Sequence, residues 1–173
     1  MLHQFGRRCN KEDGTTFEEN AIKKALTVSN HFPFKVIADD SGLEVEALDG
    51  APGIYSARYA EAKDKKGENI SDEANCEKLL KVLASEKNRN AQFRCVLVIA
   101  QRGKVLFKAE GVCRGKLIKE LQGTKGFGYD PLFVPEGFEK TFAELSSQTK
   151  NQISHRAAAI KQLKKWLEGS ILT

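Results

Sequence analysis

Two adjacent carboxylates, Asp39 and Asp40, follow the apolar run Val36-Ile37-Ala38 and precede Ser41-Gly42. Carboxylates at the end of an apolar strand are costly to bury unless cations or hydrogen-bond donors meet them. Mg²⁺ suits such a place: it takes oxygen ligands and binds through one or two carboxylates plus substrate phosphates. Neighbouring side chains of a strand point to opposite faces, so one aspartate would reach a site while the other braces the chain. The same residues equally suit a polar turn, with Val36 to Ala38 and Leu43 to Leu48 as two strands flanking a sharp bend at Ser41-Gly42.

A second cluster is Gly126-Phe127-Gly128-Tyr129-Asp130-Pro131. Its glycines let backbone approach a ligand closely. Phe127 offers a face on which a base can stack, worth roughly 1–3 kcal/mol, and Asp130 offers acceptors to a base or ribose. The alternative is a tight turn with its aromatics buried. A third cluster, Lys150 with Ser154-His155-Arg156, lies at the head of the last helical pattern, where cations and helix N–H groups suit an anion or carbonyl acceptors; a structural histidine is the plainer reading. Walker A, His-Glu-x-x-His and nucleophile-elbow patterns do not occur.

These clusters need elements to carry them. Thr16 with Glu19 forms a capping box opening a helix to about Asn30, and Phe17, Ala21, Ala25 and Val28 recur along it at helical spacing. Ser71, with Asp72 and Glu73 behind it, opens a second helix whose apolar stripe is Cys76, Leu79, Leu80 and Leu83. Phe93 to Ala100 and Lys104 to Val112 read as strands joined by a hairpin at Arg102-Gly103. The last helix starts near Ser154, with Ala157, Ile160, Leu163 and Leu167 expected to face inward. Helices and strands in this order predict an α/β or α+β fold, a mixed central β-sheet flanked by helices, within a single domain over residues 1–173.

Composition narrows the classes. The chain has 173 residues, 40% hydrophobic and 29% charged, a balance that supports a packed core. The longest apolar run, Cys95 to Ala100, is one strand long, and the opening Met1 to Arg8 carries no apolar signal region, so a cytoplasmic protein is expected. The four cysteines form no Cys-x-x-Cys pair and read as small buried apolar residues. A net charge of +5 suits a polyanionic ligand, although runs such as Lys63-Asp64-Lys65-Lys66 read as a solvated face. No nucleic-acid module is recognisable.

Taken in order, the motifs resemble one family. Ala38-Asp39-Asp40-Ser41-Gly42-Leu43 and Gly50-Ala51-Pro52-Gly53-Ile54-Tyr55-Ser56-Ala57-Arg58-Tyr59 are similar to the signature of the inosine/xanthosine triphosphate pyrophosphatases. Thr16 to Ala21, Gly126 to Pro131 and Ser154 to Ala157 match in the same order, so the resemblance runs from about Glu12 to about Leu167. It implies a bilobed fold with a nucleotide cleft, and hydrolysis of XTP, ITP and dITP to the monophosphate and pyrophosphate. It further implies Asp40 as general base and metal ligand, Glu12 as the second metal-binding carboxylate, and Mg²⁺ as the ion. Ser41 would contact substrate; Phe127, Gly128, Tyr129 and Asp130 would line the nucleotide pocket; Lys150, His155 and Arg156 would complete base recognition. A homodimer is implied as well. The family's opening strand and its Thr/Ser-x-Asn-x-x-Lys turn have no counterpart between Met1 and Gly14, so part of the phosphate grip is expected to be missing. A nucleotide-binding homologue of weakened activity is the alternative.

Overall fold

A computed structural model describes residues 13–60 and 71–171. Five elements form the frame first. Helix α1 (Phe17–Ser29) is followed by strand β1 (Val36–Val45), helix α2 (Asp72–Val82), and strands β2 (Asn90–Gln101) and β3 (Lys104–Leu117). A short strand β4 (Phe133–Pro135) and helices α3 (Ser147–Ile153) and α4 (His155–Ile171) complete it. Among the described residues the four strands pair antiparallel in the order β1-β2-β3-β4, with helices on both faces.

The helix starts follow their caps. Thr16 Oγ1 accepts from Glu19 N–H at 3.1 Å, while the Glu19 carboxylate reaches back to Thr15 N–H at 2.7 Å, one residue beyond the usual capping box. Ser71 Oγ accepts from Ala74 N–H and Ser154 Oγ from Ala157 N–H. Arg102 and Gly103 both have positive φ (50° and 72°), as a two-residue hairpin matched to strand twist requires.

The expected bend at Ser41-Gly42 is not there. β1 runs unbroken through Asp39-Asp40-Ser41-Gly42, paired with β2 from Val36 opposite Ala100 to Val45 opposite Ala91. Gly42 serves space rather than turning: a Cβ there would lie 2.5 Å from the Gly53 carbonyl and 2.6 Å from Ser56 Oγ. The polar run persists inside a strand because each side chain finds partners on its own face.

Those faces differ. Val96, Val98 and Ala100 pack against Phe17, Ala21 and Ala25 of α1. On the other face Cys95, Leu97, Ile99 and Ala109 pack against Ala159 and Leu163 of α4. Farther along the strands Leu43, Val45 and Phe93 join Leu79 of α2 and Leu83 just after it, together with Phe133 and Phe142, in a separate cluster. Fully burying each such side chain contributes about 1.5–3 kcal/mol. Asp39 and Asp40 lie in β1 between Ala38 of the first cluster and Leu43 of the last, at the junction of two packed regions.

The inward face of α4 also differs from expectation. Ala159 and Leu163 are buried and Trp166 stacks on Phe107 with centroids 4.9 Å apart, whereas Ile160 and Leu167 are exposed. Gly111 sets this register. A Cβ on it would lie 2.0 Å from the His155 carbonyl and 2.6 Å from Ala159 N, so the helix backbone rests directly on β3. His155, Ala159 and Leu163, four residues apart, therefore form the buried line.

Candidate active site

β1 splits the two aspartates between the faces of the sheet. Asp40 lies opposite Val96, on the α1 face, and is buried. Lys24 Nζ donates to Asp40 Oδ1 at 2.7 Å and Asn20 Nδ2 to Asp40 Oδ2 at 3.2 Å, both from α1, one turn apart. Asp39 lies opposite Leu97, on the α4 face, and is part-exposed. Its Oδ2 accepts from Arg156 Nε at 3.1 Å and from Ser41 Oγ at 3.0 Å. The polar-turn reading of these residues is thereby replaced by two ion pairs on a strand.

The segment Gly126 to Asp130 folds around its own aspartate. Asp130 is 3% exposed, and its Oδ2 accepts from Phe127 N–H at 2.9 Å and from Lys150 Nζ. Gly126 must be glycine twice over: its φ is +85°, and a Cβ would lie 2.0 Å from Asp130 Oδ2. Gly128 N–H donates to Asp72 Oδ2 at 2.6 Å, which ties the segment to the start of α2. Tyr129 is buried and donates its hydroxyl to the Ser56 carbonyl at 2.9 Å. Desolvation pushes its phenol strongly upward, so the hydroxyl remains a donor.

Phe127 alone of these aromatics faces outward, 58% exposed. Lys150 Nζ lies 4.6 Å from its ring centroid and the Arg156 guanidinium carbon 5.5 Å. An aromatic face beside two donor-only cations is an arrangement that takes a flat, carbonyl-bearing ring.

Next to them His155 is 5% exposed and stacks on Phe93, with centroids 5.0 Å apart and planes 16° from parallel. Burial, then the cations Arg156 and Lys150, push its pKa down to about 3, so the ring is neutral near neutral pH. Among the described residues its Nδ1 is buried with no hydrogen-bond partner, an uncommon state for a buried polar atom and one a ligand can relieve.

The structure thus brings Asp39, Ser41, Phe127, Gly128, Tyr129, Asp130, Lys150, His155 and Arg156 into one connected group, with Asp40 adjoining through the strand. Glu12 lies outside the described residues. Among the described residues no three His, Cys, Asp or Glu side chains gather as a metal cluster. Cys76, Cys95 and Cys113 are buried free thiols, as expected. A groove of about 840 Å³ bounded by Glu44, Gln92, Arg114, Pro135 and Phe138 contains none of the site residues.

Asn20, Lys24 and Phe93 belong to the site although the motifs give them no role there. Asn20 and Lys24 carried a signal: both interrupt the helical stripe Phe17-Ala21-Ala25 with polar groups four residues apart. Phe93 looked like ordinary core, and nothing local marks it as the seat of His155.

The model of the Ham1 family matches residues 2–166 of the chain. A protein of Oceanobacillus iheyensis named dITP/XTP pyrophosphatase is 52% identical over 159 residues, covering 91% of this chain and 78% of that one. One of Desulfotalea psychrophila bearing the same name is 49% identical over 164 residues, covering 91% and 71%. The solved Staphylococcus aureus Ham1 protein superposes with a TM-score of 0.85 at 49% identity, covering 92% of this chain and 80% of that one. The Ham1 protein of Coxiella burnetii gives 0.86 at 38% identity. Spanning nearly the whole chain, and meeting a fold whose β1 carries the paired aspartates, these likenesses place the chain in the Ham1 family.

Proposed function

We propose that the chain hydrolyses the non-standard purine nucleoside triphosphates ITP, XTP and dITP to the monophosphate and pyrophosphate. The observation that carries this is the group around Phe127: an exposed ring flanked by Lys150 and Arg156, with neutral His155 beside them. Hypoxanthine and xanthine bear an oxygen at C6 where adenine bears an amino group. Lys150 and Arg156 can only donate, so they reward the oxo group and leave an amino group facing donors. Lys150 uses one of three donors on Asp130, and Arg156 one of five on Asp39, so both retain donors for the base. Ser41 completes the contacts on this side, with Gly128, whose N–H is given to Asp72, lining the pocket beside Phe127. The curated relatives named dITP/XTP pyrophosphatase support the same substrate class.

On the other side of β1, Asp40 orients the attacking water and accepts its proton, held in place by Asn20 and Lys24. The Lys24 ammonium adds positive charge where phosphate oxygens would arrive. The donor set fits Mg²⁺, a hard ion content with one or two carboxylates and phosphate oxygens; Asp40 would hold it, with Glu12 as the second carboxylate. When bound, the ion neutralises charge on the phosphates. Work in the cytoplasm as a homodimer belongs to the same reading.

The test is a substrate panel. Pyrophosphate release from ITP and XTP should exceed that from ATP by at least about 100-fold in kcat/KM, as a site of dedicated hydrogen bonds allows. It should cease on chelating divalent ions. Equal turnover of ITP and ATP would dispose of the base readout, and undiminished turnover in chelator would dispose of the metal.

A further inference from the structure

Asn20 lies on the inward face of α1, between Phe17 and Ala21, and is 1% exposed. A buried amide needs partners for both of its ends. Asn20 Oδ1 accepts from Gly14 N–H at 2.9 Å, and Asn20 Nδ2 donates to Asp40 Oδ2 at 3.2 Å. The two partners settle the amide's orientation, because a backbone N–H requires the oxygen and a carboxylate requires the nitrogen. The approach of Gly14 is as close as a residue can make: a Cβ there would stand 2.6 Å from Asn20 Oδ1. Its contacts bind the Asp13-Gly14 segment, α1 and β1 together at one atom of the Asp40 carboxylate.

The other atom, Oδ1, is met by Lys24. Rotation about the last bond of an aspartate is otherwise broad. Gripping the two oxygens separately removes that freedom.

We propose that Asn20 is a positioning residue for the reaction, setting the rotation of the Asp40 carboxylate and locking it to the Asp13-Gly14 segment. The proposal rests on Asp40 being the catalytic carboxylate. Asn20 acts through Asp40, so its loss falls on kcat rather than on KM. A carboxylate released from a productive orientation costs on the order of 100-fold in rate, the scale of an ångström's misplacement.

Asn20→Asp separates this role from simple support of the loop. It keeps the shape and the acceptor for Gly14 N–H, and replaces the donor to Asp40 with a second carboxylate. Its kcat on ITP should fall about 30- to 100-fold with KM within about threefold, and its melting temperature should drop. Combining it with Asp40→Asn exchanges donor and acceptor across the same contact. The double variant should regain most of the lost melting temperature while staying inactive. If Asn20→Asp retains wild-type kcat, or if the exchange restores no thermal stability, the positioning role is overturned. A wild-type chain that releases no pyrophosphate from ITP would instead sink the functional reading, while the thermal cycle would still decide whether Asn20 holds Asp40.

Discussion

His155 makes the fold sensitive to acid in a way that can be isolated. Its pKa falls from 6.5 to about 3 in the folded chain, through burial first and the Arg156 and Lys150 charges next, with Asp39 opposing. Below about pH 6.5 the unfolded chain therefore binds a proton that the folded chain refuses, and stability is lost as pH falls. Well above that value the histidine contributes nothing to the pH dependence. The slope approaches about 1.4 kcal/mol per pH unit and ends only near the folded value. Between about pH 7.5 and pH 5 the accumulated loss is about 2 kcal/mol. Urea denaturation of the wild type and of His155→Gln at the two pH values measures it. The variant loses the Phe93 stacking at every pH, but it cannot titrate. The wild type should therefore lose about 2 kcal/mol more than the variant across the interval, because the other titrating groups are common to both proteins. Equal losses in the two proteins would refute the neutral, buried histidine and with it the picture of an uncharged ring beside the base.

Removing Phe127 should weaken substrate binding with little effect on the fold, since the ring is 58% exposed. Phe127→Ala should raise the KM for ITP by about 5- to 150-fold, the equivalent of 1–3 kcal/mol of stacking, and an unchanged KM would exclude the ring as the base platform. Gly111→Ala sets a methyl against the His155 carbonyl and Ala159 N, both backbone atoms that cannot swing aside. It should cost about 1–3 kcal/mol in thermal denaturation and raise KM by shifting Arg156; normal stability would show that α4 can yield. Lys150→Met strands the buried Asp130 carboxylate. A loss of about 3–5 kcal/mol is expected, largely recovered by adding Asp130→Asn. A stable single variant would mean that this pair does not hold the turn.

Much of the frame was legible because local signals agreed. Thr16, Ser71 and Ser154 each cap a helix, and Arg102-Gly103 forms the hairpin its composition announced. The errors have physical causes. Asp-Asp-Ser-Gly carries turn chemistry, yet tertiary partners from α1 and α4 satisfy its side chains within a strand. Apolarity favours Ile160 and Leu167 for the inward face of α4, while the contact at Gly111 selects His155 and Ala159. At the site, residue types were readable but their allegiances were not. Asp130 offers its acceptors to Phe127 and Lys150 within its own turn, and Asp39 is the partner of Arg156, 117 positions away in sequence. No spacing rule reaches that far.

The role of Asp40 is tested most directly by following ITP turnover in wild type and Asp40→Asn side by side, with products separated into monophosphate, pyrophosphate and phosphate. The amide keeps an acceptor for Lys24 but sets its nitrogen against that of Asn20, so circular dichroism first establishes that the variant is folded. Inosine monophosphate and pyrophosphate should form in equal amounts with the wild type. In the variant the rate should be lower by about a thousandfold or more, as loss of a positioned base and its charge entails. A folded Asp40→Asn protein that releases pyrophosphate at the wild-type rate would contradict the assignment of this strand as the catalytic centre.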